Sequence, residues 1–403
     1  MQGASELTSV QVDVVIIGGG VQGLVILNEL TERRYTCALV TDEDLGGGQT
    51  LHSHGFLNTG FGMAGNELPA GAVAIVQPYL LSKGVPVQEN WIVLAAPGFP
   101  ALAGLPPVNL PPGFAPAFAE AARKLPDRSL DKQQLVEVLA RDRMDRVIRG
   151  TVAGFRGRNP VEAVVVQPQG SAEMLELQAR AVVVAAGCGS KKLLAGLAGA
   201  APQLDAIKHR LVHMVCVRAP RGALPAVSVA ALPLGLLLAA HEDADWVTWY
   251  VTPMEFGGPS FDDVPNDASA GTLPAMLARA AAAVLKLYPS LPDTLGLRVG
   301  HYAGYRQDIG DMPGVRMCQV AAGTGNVVAA LPSGLIGSWL NAADALALLD
   351  GLIGPATRTG DRGPLPWGGE GVRVGRPVED RPGFEWQTWE QWHQLLPQPP
   401  TPA

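Results

Sequence analysis

Cysteine is scarce in this chain and basic charge is scattered, and both shortages narrow what it can do. The four cysteines among 403 residues, Cys37, Cys188, Cys216 and Cys318, lie far apart, with no C-x-x-C pair and no spacing that suits a metal. They read as reduced, mostly buried thiols, which fits a cytoplasmic location. Only 17% of residues are charged, the net charge is −7, and no block of like charge occurs. Nucleic acid is therefore not an expected partner. The opening residues, MQGASELTSV, offer neither a basic start nor an apolar core, so no secretory signal is expected in them. The longest apolar run, 226–240, is broken by Pro233 and too short for a bilayer, so no integral membrane segment is expected. No internal repeat is found.

What remains is an ordinary globular composition, 47% hydrophobic with mean hydropathy +0.17, on a chain long enough for two interleaved domains. An apolar run at 12–17 leads through glycines into a helical stretch at 21–33, and a second apolar run follows at 37–40. This is the opening of a βαβ unit. A glycine-rich loop with two histidines covers 45–65, and prolines crowd an otherwise apolar excursion at 95–116. Residues 129–141 have helical spacing, with Ser129 as the expected cap. Strands are expected at 146–152, 161–167, 174–177 and 181–186, and a second set at 211–217, 226–231, 235–240 and 246–251 predicts an antiparallel sheet. A helix at 273–287, strands around 297–302 and 317–321, and a helix at 333–349 complete the pattern. The stretch beyond 351 is rich in proline and glycine yet holds Trp367, Trp386, Trp389 and Trp392. So aromatic a segment is expected to pack against the body or a partner.

The fold class expected is α/β, α+β overall. A Rossmann-like nucleotide domain with a parallel sheet takes 1–90, 130–200 and 310–352, and an antiparallel-sheet substrate domain takes 205–305. Residues 91–129 form the excursion and 353–403 a tail.

The sharpest chemical signal is VDVVIIGGGVQG, in which Gly18, Gly20 and Gly23 form G-x-G-x-x-G between a strand and a helix. Glycine is needed there for the tight turn, for backbone approach to a pyrophosphate, and for close helix–sheet packing. The helix N-terminus then offers free N–H groups and partial positive charge to the phosphates. An acidic residue at the end of the second strand should hold the ribose. Thr41 occupies that place, with Asp42 and Glu43 immediately after it. Either carboxylate serves if the strand ends a residue early; otherwise Thr41 makes a weaker hydroxyl contact.

Three further segments resemble the D-amino-acid-oxidase superfamily of FAD-dependent oxidoreductases. The pattern Q-T-x-H-x-x-G-x-x-x-x-G, running from Gln49 and Thr50 through His52, His54 and Gly55 to Gly60, is similar to the loop of L-2-hydroxyglutarate dehydrogenases and, more loosely, of dimethylglycine dehydrogenases. The stretch 182–187, ending in Ala186 and Gly187, resembles the strand that passes back beside the cofactor. The stretch GTGNVVAALPSG, containing Gly325, Pro332, Ser333 and Gly334, is similar to the C-terminal flavin segment, where a helix N-terminus faces the flavin's pyrimidine edge. The resemblance implies an FAD-dependent dehydrogenase or oxidase acting on a small carboxylate-bearing substrate with an unidentified electron acceptor.

It also implies roles. Arg306, within Tyr302-Ala303-Gly304-Tyr305-Arg306-Gln307, matches an A-G-x-R segment and would clamp a carboxylate; a structural ion pair with Asp308 or Asp311 is the alternative. His52 matches a position that carries a covalent flavin link in the dimethylglycine type, a plain flavin contact being the other outcome. His54 lines the cavity or only holds the loop. His301 is a general base or a core histidine. His213 faces the flavin or the outer surface, and Tyr250 closes the pocket or only packs. A 2-hydroxy acid is the expected substrate. An amine or amino acid is the alternative on the same fold, and a non-catalytic flavoprotein or assembly partner using the tail is the alternative of another class.

Overall fold

The computed structural model describes residues 7–59, 72–95, 102, 104–197, 202–253, 260–261, 273–310, 316–332, 334–356 and 364–394. The chain opens with β1 (Leu7–Ile17), α1 (Val21–Glu32), β2 (Cys37–Thr41), α2 (Gln49–His52), β3 (Phe56–Leu57), α3 (Ala72–Ser82), β4 (Val87–Gln88) and β5 (Trp91–Leu94). There follow β6 (Ala122–Lys124), β7 (Arg128–Leu130), α4 (Lys132–Ala140), β8 (Val147–Gly157), β9 (Val161–Pro168), β10 (Met174–Val184), α5 (Ser190–Leu197) and α6 (Pro202–Asp205). The second half holds β11 (Ile207–Pro220), β12 (Ser228–Ala231), β13 (Leu236–Glu242), β14 (Trp246–Pro253), β15 (Ser260–Phe261), α7 (Leu273–Leu287), β16 (Arg298–Ile309), β17 (Met317–Val320), β18 (Val327–Leu331), α8 (Gly334–Ile353) and α9 (Trp389–Gln394).

Apolar residues run without a break through 14–17 and 181–184 because these strands are covered on both faces, as parallel strands usually are. Val14 and Ile16 enter one core with α1, α3, α4 and α8, while Val15 and Ile17 enter another on the opposite face. β1 pairs in parallel with β2 and β10, β2 with β8, and β10 with β18. β9 connects β8 to the first half of β10 in antiparallel fashion, and β17 closes the far edge against β18. The helix α8 is long and apolar enough to cross a membrane by length and composition. Its Ile336, Ala342, Ala345, Leu346 and Leu349 are buried in the first core beside α1, which accounts for that composition.

The second sheet has the order β15-β11-β14-β13-β12-β5-β6, with β16 also paired to β11. One face is covered by α7 and α9, including Trp249, Trp389 and Trp392. The other carries Trp91, Val93, Met214, Cys216, Tyr250 and Tyr302. β5 and β6 flank the proline-rich excursion and join this sheet, β5 parallel to β12. The excursion is thus bracketed by sheet strands. A small third sheet, β3-β7-β4, stands beside the histidine loop.

Two local expectations change. The helix expected from residue 129 starts at Lys132, capped by Asp131, whose carboxylate accepts from Gln134 N–H at 2.9 Å. Ser129 belongs to β7, and its hydroxyl takes the Trp91 indole N–H at 2.7 Å. The strands expected at 174–177 and 181–186 are one strand, β10, with exposed Gln178 between its two apolar halves.

The C-terminal segment packs back on the body. Leu45 donates to Arg373 O and accepts from Gly375 N–H, both at 2.8 Å. Val299 and Gln387 exchange backbone bonds at 2.9 Å, and Trp389 and Trp392 are buried under α7.

Candidate active site

Between β1 and α1 the backbone leaves room for little except glycine. Gly18 has φ +123°, and a Cβ on it would stand 2.3 Å from Ala185 O. A Cβ on Gly23 would stand 2.0 Å from Gly18 O, so the first turn of α1 packs directly on the glycine loop. Gly20 is the N-cap of α1 and has no side-chain cap of its own; Thr50 Oγ1 instead accepts the Val21 N–H at 3.0 Å. The helix therefore presents its N-terminus to the space lined by Gly18, Gly20 and Gln22. The amide of Gln22 is buried there with neither its nitrogen nor its oxygen hydrogen-bonded. Such a polar group calls for a ligand. At the end of β2 the Thr41 hydroxyl donates to Glu43 O at 3.0 Å, while Asp42 and Glu43 are exposed on the same space.

That space is one cavity of about 1690 Å³ running between the two large sheets. Small-molecule pockets are usually about 300–1,000 Å³, so this one accommodates an extended dinucleotide together with a small substrate. Its walls include 18–22, 41–44, 47–50, 52–54, 150–155, 185–189, 210–214 and 302–306, along with Pro332 and Gly334.

Many of the sequence candidates meet in it. Gln49, Thr50, His52, His54, Ala186, Gly187, Pro332, Gly334, His213 and Arg306 all line the cavity. His52 Nδ1 sits 2.7 Å from Gly48 O. A carbonyl only accepts, so Nδ1 carries the proton and Nε2 has the lone pair. Burial lowers the His52 pKa. His54 is held more strongly: burial, then the charge of Lys132, pulls its pKa down to about 3, and its buried Nδ1 has no hydrogen-bond partner. It is a neutral imidazole at physiological pH. His213 also loses basicity through burial and the nearby His301.

Other candidates fall elsewhere. Gly55 does not line the cavity; it is a turn residue with φ +65°, and a Cβ there would lie 2.4 Å from Leu130 O. Gly325 belongs to the β17–β18 turn, where a Cβ would meet Asn159 Oδ1 at 2.7 Å. β18 then carries the chain to Pro332, so only the back half of that motif reaches the cavity. Ser333 lies outside the described residues. His301 does not line the cavity either: it shares a face of β16 with Val299 and pairs with Val215, both in the core under α7. It stands beside His213 but off the cavity wall, where a general base would have to be. Tyr250 is packed behind the wall, with its hydroxyl given to Glu379 and its ring under Lys132 Nζ, so it packs rather than closes the pocket.

Arg306 forms the expected ion pair and also stands on the cavity wall. Its Nε and Nη2 donate to the two oxygens of Asp308 at 2.8 and 2.9 Å. Asp308 also accepts from Arg210 Nε at 2.8 Å, so one buried carboxylate answers two guanidinium groups. Asp311 lies outside the described residues. The ion pair uses the side-on edge of Arg306 and leaves Nη1, with the second N–H of Nη2, for a ligand.

Sequence reasoning missed Gln22, Arg210 and Asp127. Asp127 lines the cavity at 2% exposure, its Oδ1 accepting both the N–H and hydroxyl of Thr59 at 2.7 and 2.6 Å. Burial raises its pKa to about 6. For Gln22, the x before the third glycine of the motif, position alone was a usable signal; Arg210 and Asp127 carry none.

A parallel sheet with a glycine cradle, joined through one long cavity to an antiparallel sheet, defines a dinucleotide-dependent oxidoreductase architecture. The model of the DAO family, FAD dependent oxidoreductase, matches residues 13–343, and the chain belongs to that family. It is an FAD-dependent enzyme. A curated relative from Pseudomonas aeruginosa, described as "Probable FAD-dependent oxidoreductase PA4991", is 26% identical over 239 residues, which is 51% of this chain and 58% of that protein. The crystal structure of PA4991 superposes with a TM-score of 0.69 at 22% identity, over 92% of this chain and 98% of that one. Glycine oxidase from Geobacillus kaustophilus gives 0.65 at 21% identity over 87% and 96%. L-amino acid deaminase from Proteus vulgaris gives 0.64 at 14% over 90% and 94%. At these identities the structures share the fold.

Proposed function

We propose that this enzyme oxidises a small carboxylate-bearing amine, an amino acid or a close relative, at the carbon next to nitrogen. The observation that carries this reading is Arg306 on the cavity wall, its guanidinium fixed by Asp308 with one edge left over. A planar fork held in advance suits bidentate capture of a carboxylate. FAD, when bound, supplies the hydride acceptor. The residues that would hold it are Gly18, Gly20 and Gly23 at the pyrophosphate, Asp42 or Glu43 at the ribose, and Gln49, Thr50, His52, Ala186, Gly187, Pro332 and Gly334 along the rest.

One feature favours nitrogen over oxygen. Asp127, a cavity carboxylate, suits a substrate nitrogen better than a second acid group. The solved structures named for glycine oxidase and L-amino acid deaminase lend the reading support. A 2-hydroxy acid is the second reading, favoured by the likeness of the 49–60 loop to L-2-hydroxyglutarate dehydrogenases.

Anaerobic mixing of FAD-loaded protein with amino acids, secondary amines and 2-hydroxy acids separates the two. Bleaching of the flavin band by an amine panel member is expected; bleaching by hydroxy acids alone reverses the order. R306M is expected to raise KM for the carboxylate substrate on the order of 100-fold and to leave the carboxamide analogue nearly unaffected.

A further inference from the structure

Three consecutive carbonyls behind α2 are each taken by a different part of the chain. The Tyr302 hydroxyl on β16 donates to His52 O at 2.9 Å. Lys132 Nζ, at the start of α4, donates to Ser53 O at 2.7 Å. His241 Nε2, on β13, lies 2.7 Å from His54 O and must carry the proton there. The loop that presents the imidazoles of His52 and His54 to the cavity is therefore tied from both large domains.

The middle tie is a buried charge. Lys132 is 3% exposed, and an ammonium so placed needs an opposite charge. Glu379 supplies it, with Oε1 3.8 Å from Lys132 Nζ, and is itself 3% exposed. The Tyr250 hydroxyl donates to that same oxygen, and the Tyr250 ring lies 4.1 Å from Nζ. Glu379 comes from the C-terminal segment, whose Arg381 also donates through Nη2 to Gly47 O at 3.0 Å, in front of the same loop.

We propose that Lys132 is a positioning residue that sets the loop bearing His52 and His54, and that the C-terminal segment holds it there through Glu379. The lysine touches neither the cavity nor a reacting atom, so its effect passes through the Ser53 carbonyl. The proposal rests on the reading that this loop faces the flavin.

K132M keeps the chain length and loses the hydrogen bond, but it strands the Glu379 charge and so destabilises the fold. The double variant K132M/E379Q removes both charges and keeps the Tyr250 contact. Thermal stability is therefore expected to fall in K132M and return most of the way in the double variant. The loop should remain loose in both. In FAD-free protein, amide hydrogen exchange at residues 50–56 is expected to quicken at least tenfold in K132M and in the double variant. In loaded protein, the FAD dissociation constant should rise about tenfold in both, with a shifted visible spectrum. Exchange rates, affinity and spectrum at wild-type values in the double variant would overturn the proposal, since stability would then be all that the pair provides. Quickened exchange in variants of a protein that takes up no FAD would leave the loop argument standing and sink the flavin reading instead.

Discussion

At the scale of single residues the site is decided by tenths of an ångström and by which groups are denied water. Gly23→Ala would force a methyl group to within 2.0 Å of Gly18 O, with backbone on both sides of the clash. The first turn of α1 would have to lift from the sheet, carrying its N–H groups away from the pyrophosphate. G23A is expected to copurify with less than a tenth of the wild-type FAD, read from the flavin-to-protein absorbance ratio. Gly20→Ala, whose Cβ meets only Thr50 Oγ1 at an ordinary 3.4 Å, should retain more. Asp127 gives a pH signature. Its pKa is raised by burial from 3.8 to about 6, so the folded state binds its proton more tightly than the unfolded chain. Folded stability from this group is therefore fully present below about 4 and is lost as pH rises through 6. D127N, which cannot ionise, should gain on the wild type by up to about 3 kcal/mol between pH 4 and 7. Chemical denaturation across that range tests it; a stability difference that does not grow with pH would show that the carboxyl is not held protonated.

At the scale of elements, the C-terminal segment packs against elements of both large sheets. Its helix α9 places Trp389 and Trp392 against α7, with Trp392 at 1% exposure. Truncating a buried tryptophan to alanine costs about 3–5 kcal/mol, so W392A is expected to lower the denaturation midpoint by that equivalent while α1 and the FAD cradle stay intact. Loss of FAD binding without loss of stability would contradict this placement. The same segment shows where sequence reading succeeds and stops. Most strands of both sheets were legible because uninterrupted or alternating apolar runs mark them, though the short strands β5, β6, β15 and β18 were not expected, and α7 matched its expected span because its apolar spacing is regular. The tryptophans foretold that the tail packs. What it packs against was not legible, since Glu379 and Lys132 are far apart in sequence and only the fold joins them. Gly325 misled for the opposite reason: a glycine required by a hairpin turn looks the same in sequence as one required by a ligand.

At the scale of the whole molecule, the cavity is assembled from segments that no single stretch of chain contains. The cradle glycines, the loop 47–54, Pro332 and Gly334 come from the nucleotide side, and Arg306, His213 and Met214 from the other sheet. This is why the cofactor was readable from sequence and the substrate was not: phosphate binding is local to one turn, whereas substrate recognition depends on which faces of β11 and β16 turn inward. Arg306 turned toward the cavity and His301, on the opposite face of β16, toward the core, a difference that strand alternation makes but cannot orient by itself. The same interleaving has a thermodynamic consequence. Ile207 at the start of β11 and Ile309 at the end of β16 enter a core of the nucleotide sheet, and the C-terminal segment is bonded to Leu45 on one side and Val299 on the other. Neither half is covered without the other, so calorimetry of the FAD-free protein should show a single transition. FAD at 100 times its dissociation constant contributes about 2.7 kcal/mol to the folded state, and the entire transition should move upward by a few degrees. Two separate transitions, with only the lower or the upper one responding to FAD, would mean that the sheets fold independently and that the cavity between them is not the binding unit.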